Sequence, residues 1–180
     1  MADDDARTNA DERRRLLARL DTARNQLVRN IETCRIRDIE RPFIGQWSLK
    51  DIVGHVASWE AEAVAALREY REGGQPALLH FDNTKLDEWN EDHVQRKREL
   101  NFSSMLEQLR GGRIRLYDEL ATVPDDQLAN ENTVARRVTL GVIDHDIEHW
   151  HQIAARLAGM EGVRHTGPIS VAEEATSEIP

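Results

Sequence analysis

SLKDIVGHVASWEAEAVAALREYREGG, residues 48–74, reads as one helix with both of its end signals in place. Ser48 stands three residues before Asp51, the spacing at which a hydroxyl accepts from a backbone N–H while a carboxylate reaches back to the capping residue. From Leu49 to about Glu72, the residues Ile52, Val56, Trp59, Ala63, Leu67 and Tyr70 recur at steps of three and four and fall on one stripe. Gly73, Gly74 and Pro76 end the helix. His55 lies between Ile52 and Trp59, about 60° from the centre of that stripe, so an imidazole is carried toward the interior.

Three more segments carry the same period. From Asp11 to about Cys34, Leu16, Leu20, Ala23, Leu27, Ile31 and Cys34 recur at helical steps, with Arg13, Arg14 and Arg15 outside. Residues 35–46 and 75–86 read as connections. Leu86 to about Val123 is helical, with a break expected near Asn101–Ser103 where Ser103 starts a second segment. Its core candidates are Trp89, Val94, Leu106, Leu109, Ile114, Leu116 and Leu120. Gly111-Gly112 inside it costs about 1 kcal/mol per glycine relative to alanine. Pro124 stops the segment, and residues 125–135 read as polar loop. The last helix spans Arg136 to about Met160, with Val138, Val142, Ile153, Leu157 and Met160 inward. No segment reads as a strand. Four long amphipathic helices with a long middle crossover predict an all-α, antiparallel four-helix bundle over residues 10–161. Residues 1–9 read as a flexible tail, and residues 162–180 as a loosely held one.

Composition narrows the function. The 180 residues carry 33 acidic and 24 basic side chains, for a net charge of −9. A field of that sign repels phosphate backbones and anionic lipid, so neither nucleic acid nor a membrane is an expected partner. No window approaches the ~20 apolar residues of a membrane span. The N-terminus lacks the apolar region of a secretory signal. Cys34 is the single cysteine, which excludes an intramolecular disulfide and fits a reducing, cytoplasmic setting. On an apolar helical stripe, its thiol is expected to be inert.

The chemistry lies in the histidines. His145 and His149, in the run Asp144-His-Asp-Ile-Glu-His-Trp-His-Gln152, stand four apart and therefore one above the other on a helix. Both fall within about 20° of the direction of Val138, along the inward stripe, whereas His151 points to the polar side. Two imidazoles at this spacing can share a metal at ~2.0–2.1 Å; they can equally be buried side chains bonded to carbonyls or carboxylates. An inward His55 from another helix favours a three-histidine centre in the bundle core. Such a donor set suits Zn, Ni or Fe and leaves positions for water or substrate. Asp146 falls on the inward side, to orient an imidazole or to accept a bond from another helix. Gln152, three residues beyond His149, is placed to hydrogen-bond near the site. Glu62, seven residues beyond His55, is a distant candidate base. Trp59 and Trp89 are expected as pocket wall.

Trp47-Ser-Leu-Lys-Asp-Ile-Val-Gly-His55-Val-Ala-Ser-Trp-Glu60 and His145-Asp-Ile-Glu-His149-Trp-His-Gln152-Ile153 also resemble the two conserved segments of the DinB/YfiT-like superfamily. The stretch from Trp89-Asn-Glu to Asp125-Asp-Gln-Leu128 resembles the branch containing ClbS/DfsB-type proteins. The resemblance implies an up-up-down-down bundle, a frequent homodimer, and a divalent metal held by His55, His145 and His149. It further implies a small-molecule substrate, handled by a thiol-dependent transferase or a hydrolase of detoxification or stress resistance, with a low-molecular-weight thiol as possible cofactor. The alternative on the same scaffold is a non-catalytic protein that binds or sequesters a small molecule.

Overall fold

A computed structural model describes residues 2–80 and 82–159. Its helices are α1 (Ala2–Thr33), α2 (Leu49–Arg71), α3 (Asn83–Lys97), α4 (Phe102–Ala121), α5 (Asp125–Ala129) and α6 (Val134–Leu157), and a small antiparallel pair joins β1 (Pro42–Ile44) to β2 (Trp47–Ser48). Helices α1, α2, α4 and α6 form the bundle, and α3 is the crossover that lets α4 run parallel to α2. The expected four-helix, all-α architecture is therefore the observed one.

Side-chain pairs fix the helix directions. Glu12 meets Arg136, Arg24 meets Asp146, and Asn30 bonds the Trp150 carbonyl, so α1 and α6 ascend together. Glu60 pairs with Arg113, and both Arg68 and Arg71 pair with Glu119, so α2 and α4 ascend together. Arg13 reaches the Leu120 and Val123 carbonyls while Arg113 reaches that of Leu20, which sets α1 against α4. In chain order the bundle runs up-down-down-up. This corrects the up-up-down-down order: the long connection lies between the second and third bundle helices, and short ones elsewhere force reversals.

The end signals explain most boundaries. Ser48 caps α2 as expected: the Asp51 N–H donates to its hydroxyl at 3.2 Å, and its own N–H donates to the Asp51 carboxylate at 2.9 Å. The break between α3 and α4 falls where expected, but Asn101, not Ser103, caps α4 by accepting from the Ser104 N–H. Thr133 caps α6, which starts at Val134, two residues before the expected Arg136. Residues 2–9, read as a tail, are the opening turns of α1; the carboxylates of Asp4 and Asp5 there favour the positive end of the helix dipole. Two further differences are local. Residues 35–46, read as a strandless connection, hold β1, which pairs with β2 at Trp47–Ser48 in a hairpin that turns at Gly45 with φ +60°. Residues 125–129, read as polar loop, form the single turn α5 behind Pro124.

The core lies in two apolar layers. One gathers Leu16, Leu20, Leu67, Leu116, Leu120, Val138 and Ile143, and the other Leu27, Ile31, Leu49, Ile52, Met105, Leu109 and Ile153. Between them every bundle helix contributes buried polar side chains: Arg24, His55, Glu60, Arg113, His145, Asp146 and His149 are all at most 8 % exposed. Three expected core residues lie outside it: Ile114 is 63 % exposed, Leu157 41 % and Tyr70 37 %, because each falls at the edge of its stripe or at a helix end. Met160 and residues 162–180 lie outside the described residues.

Candidate metal centre

His55 is carried inward by the cap-to-stripe register of α2, and His145 and His149 by the register of α6. The helices meet so that the His145 Nε2 lies 3.0 Å from the His55 Nε2 and 3.1 Å from the His149 Nε2. The ligand nitrogens of all three lie within 4.8 Å of one another. A tetrahedral ion binding imidazoles at ~2.0–2.1 Å holds its nitrogens about 3.3 Å apart, close to the two separations observed. The three rings are tilted or perpendicular to one another, with centroids 4.5–5.0 Å apart. They therefore converge tip to tip instead of stacking.

Burial is the largest influence on their protonation. It pushes His55 and His145 well below the ordinary histidine range, helped for His55 by nearby His149, Lys97 and His93, and for His145 by His149, His55 and Arg24. It also takes His149 down to about 4, against the opposing effects of Gln152 and Asp146. Neutral rings at pH 7 are the form that ligates a metal.

One tautomer follows from a short hydrogen-bond chain. Gln152 Nε2 donates to Glu148 at 3.0 Å, so its oxygen faces His149. That oxygen lies 3.1 Å from the His149 Nδ1, which must then carry the proton, leaving the Nε2 lone pair aimed at the other two rings. A nitrogen offers a single in-plane site, either a proton or a lone pair, so the His145 Nε2 cannot satisfy two neighbouring Nε2 atoms by hydrogen bonding alone. A shared cation satisfies all three lone pairs, and on this ground the donor set fits a divalent ion.

Aromatic rings wall the site. Trp47 lies 4.8 Å from His55, and Trp59 lies 6.4 Å from His55 and 6.3 Å from His145. The indole N–H of Trp59 donates to Asn90 at 2.8 Å, and its ring meets Trp89, which stacks on His93 at 3.7 Å. Helix α3 therefore covers the ligand side of α2. Lys97, at its end, donates to the Gly54 carbonyl at 3.0 Å, and burial lowers its pKa to about 8.

The other expected residues divide. Gln152 and Trp59 lie against the triad as read. Asp146 points away from the imidazoles and accepts from Arg24 through both oxygens, at 3.0 and 2.9 Å, and from Arg113 at 2.7 Å. Of its two expected roles it takes the inter-helix bond. Glu62 is half-buried two helical turns from His55 and makes no contact with the triad; the carboxylate of α2 buried in the bundle's polar layer is Glu60. Glu60, Arg24 and Arg113 escaped the sequence reading because isolated charges on an amphipathic helix read as solvated. Their one visible trace was Gly112, a glycine in a helix interior with no turn to make. A Cβ there would lie 3.0 Å from a Glu60 oxygen. Cys34 is half-buried, and burial, aided by Asp38, raises its thiol to about 11, in keeping with an inert residue.

A four-helix bundle with an inward HxxxH on one helix and a third histidine on its neighbour defines the class. Residues 40–145 match the family described as the mycothiol maleylpyruvate isomerase N-terminal domain, and the chain belongs to that family, which is part of the DinB/YfiT-like superfamily. The match ends on His145, so His149 lies beyond it. Among solved structures, the chain resembles an uncharacterised protein from Escherichia coli UTI89, with a TM-score of 0.68 and 13 % identity over 82 % of this chain and 95 % of that one; this shows the fold alone. No curated protein matches the sequence. No helix among the described residues is long and apolar enough to cross a membrane.

Proposed function

We propose that the protein is a divalent-metal-dependent enzyme acting on a small molecule, with a low-molecular-weight thiol as the attacking group or water in its place. The carrying observation is the convergence of three buried, neutral imidazoles with their ligand nitrogens inside 4.8 Å. Family membership supports the thiol, since the matching family takes its description from a mycothiol maleylpyruvate isomerase. His55, His145 and His149 hold the metal. Bound there, a divalent ion lowers the pKa of a coordinated thiol or water, so that a nucleophile forms at neutral pH. Three neutral ligands leave the ion's charge undiminished, and no carboxylate of the described residues joins the cluster. Gln152 holds the His149 ring in its ligating tautomer. Trp47, Trp59 and Trp89 keep the site apolar, which favours a thiolate over bulk water. A cytoplasmic setting and a homodimer belong to this reading.

The test uses untagged protein loaded with cobalt(II). Adding 2-mercaptoethanol is expected to produce a sulfur-to-cobalt charge-transfer band in the near ultraviolet, absent in His145→Ala. Thiol consumption with a panel of electrophiles should then depend on the metal. A loaded protein without that band and without metal-dependent turnover of either thiol or ester substrates contradicts the proposal.

A second reading, non-catalytic binding of a small molecule, is favoured by one feature. An apolar cavity of about 400 Å³ opens between α1 and α4, lined by Val28, Ile31, Phe102, Leu106 and Leu109, and it does not touch the triad. Calorimetric binding of an apolar ligand to metal-free protein, lost in Leu106→Arg and without turnover, would favour it.

A further inference from the structure

Two acidic and two basic side chains share the polar layer with the histidines, one from each bundle helix. Arg24 comes from α1, Glu60 from α2, Arg113 from α4 and Asp146 from α6, at 7, 2, 8 and 0 % exposure. Arg24 grips Asp146 through two nitrogens and reaches Glu60 at 3.2 Å. Arg113 binds Glu60 at 2.6 Å and Asp146 at 2.7 Å. The spare donors go to backbone: the Arg113 Nη1 to the Leu20 carbonyl and the Arg24 Nη1 to that of Leu109. Two acids thus face two guanidiniums: Asp146 is held by aligned hydrogen bonds, and Glu60 by close ion-pair contacts without hydrogen-bond alignment.

The distribution of sign follows the distribution of ligands. Both carboxylates stand on the helices that carry histidines, Glu60 five residues beyond His55 and Asp146 between His145 and His149. Both arginines stand on the helices that carry none. Each ligand helix is therefore pinned by its own acid to two guanidiniums across the bundle, and a rotation of either helix that moved its imidazoles would pull a buried carboxylate off two cations. Gly112 leaves the space that Glu60 occupies.

Stability alone is a weak reason for such a cluster. Desolvating four charges costs most of what their attraction returns, and apolar residues of similar volume often serve as well or better. Geometry is a stronger reason, since planar guanidinium forks fix both distance and direction. We propose that the Arg24–Glu60–Arg113–Asp146 quartet is a cross-brace that positions the three imidazoles, so that its members govern metal affinity and coordination geometry without touching the metal. This inference rests on the reading of the triad as a metal site.

Cobalt(II) titration of untagged full-length protein, read by visible absorption, tests it. Glu60→Gln keeps the shape of its side chain, and Asp146→Asn nearly so; both remove a charge. Arg24→Lys retains the charge but loses the fork, and serves where the others fail to fold. The control is Glu119→Gln, which takes the charge from a buried carboxylate paired with the half-exposed Arg68 and Arg71 near the far end of α2 and α4. The folded quartet variants should bind cobalt about tenfold or more weakly, the range seen when residues behind metal ligands are changed. They should also show shifted d–d bands, while Glu119→Gln matches the wild type. Unchanged affinity and spectrum in the folded quartet variants would overturn the inference and leave the metal reading intact. Absence of cobalt binding by the wild type would remove both.

Discussion

Gln152 decides, at the scale of single residues, which nitrogen of His149 faces the centre. Replacing it by leucine removes the acceptor that holds the Nδ1 proton, and metal affinity is expected to fall roughly tenfold, measured by competition against a chromophoric chelator. The protonation of the triad has its own consequence. A histidine such as His149, near 4 in the fold and about 6.5 in the unfolded chain, takes up a proton on unfolding between those values. The metal-free protein is therefore at full strength from this source above pH 6.5 and loses stability as pH falls toward 4, by at most ~1.4 kcal/mol per pH unit for each such histidine. Urea unfolding at pH 7, 6 and 5 measures that slope; a flat profile would show that the rings are not buried neutral.

Elements show where local chemistry outweighs propensity. Helix α2 was legible in its bounds and in its inward face up to Leu67: its cap, its carboxylate partner, its apolar stripe and its glycine stop are all local, and Ser48→Ala is expected to cost about 1 kcal/mol in thermal or urea unfolding. Helix α4 was legible in period but not in the reason for its two glycines. Gly111 faces only the mobile end of the exposed Arg115, whereas Gly112 faces Glu60, held by two arginines. Gly111→Ala should therefore stabilise, by up to ~1 kcal/mol from helix propensity. Gly112→Ala should destabilise, because the carboxylate cannot give way. Opposite signs at adjacent positions of one helix are a sharp outcome for urea denaturation; equal stabilisation of both would contradict the packing described. The hairpin at 42–48 and the single turn α5 were not legible, since two or three paired residues and one helical turn carry too little period to stand out from a loop.

The whole molecule is a bundle with a polar layer across its middle. The sequence carried the number of long helices, their inward faces and the two segments that hold the histidines, because each is written in local spacing. It could not carry the up-down-down-up order, which depends on how the long α3 crossover is laid, nor the meeting of four charged side chains separated by 33–122 residues. Glu62 was chosen by its spacing from His55, yet the carboxylate that matters for α2 is Glu60, selected by the two arginines that reach it from other helices. The triad was the intermediate case: the pair on α6 was visible in the spacing, and its junction with His55 required the packing of α2 against α6. That junction is also the part of the fold on which the functional proposal stands.

Elemental analysis of the untagged protein, after equilibration with zinc, nickel, iron and cobalt and removal of free ion, tests that junction most directly. The account predicts one divalent ion per chain in the wild type and its loss in His55→Ala, with helicity retained. Folded wild-type protein that retains no stoichiometric ion under any of these conditions would contradict it.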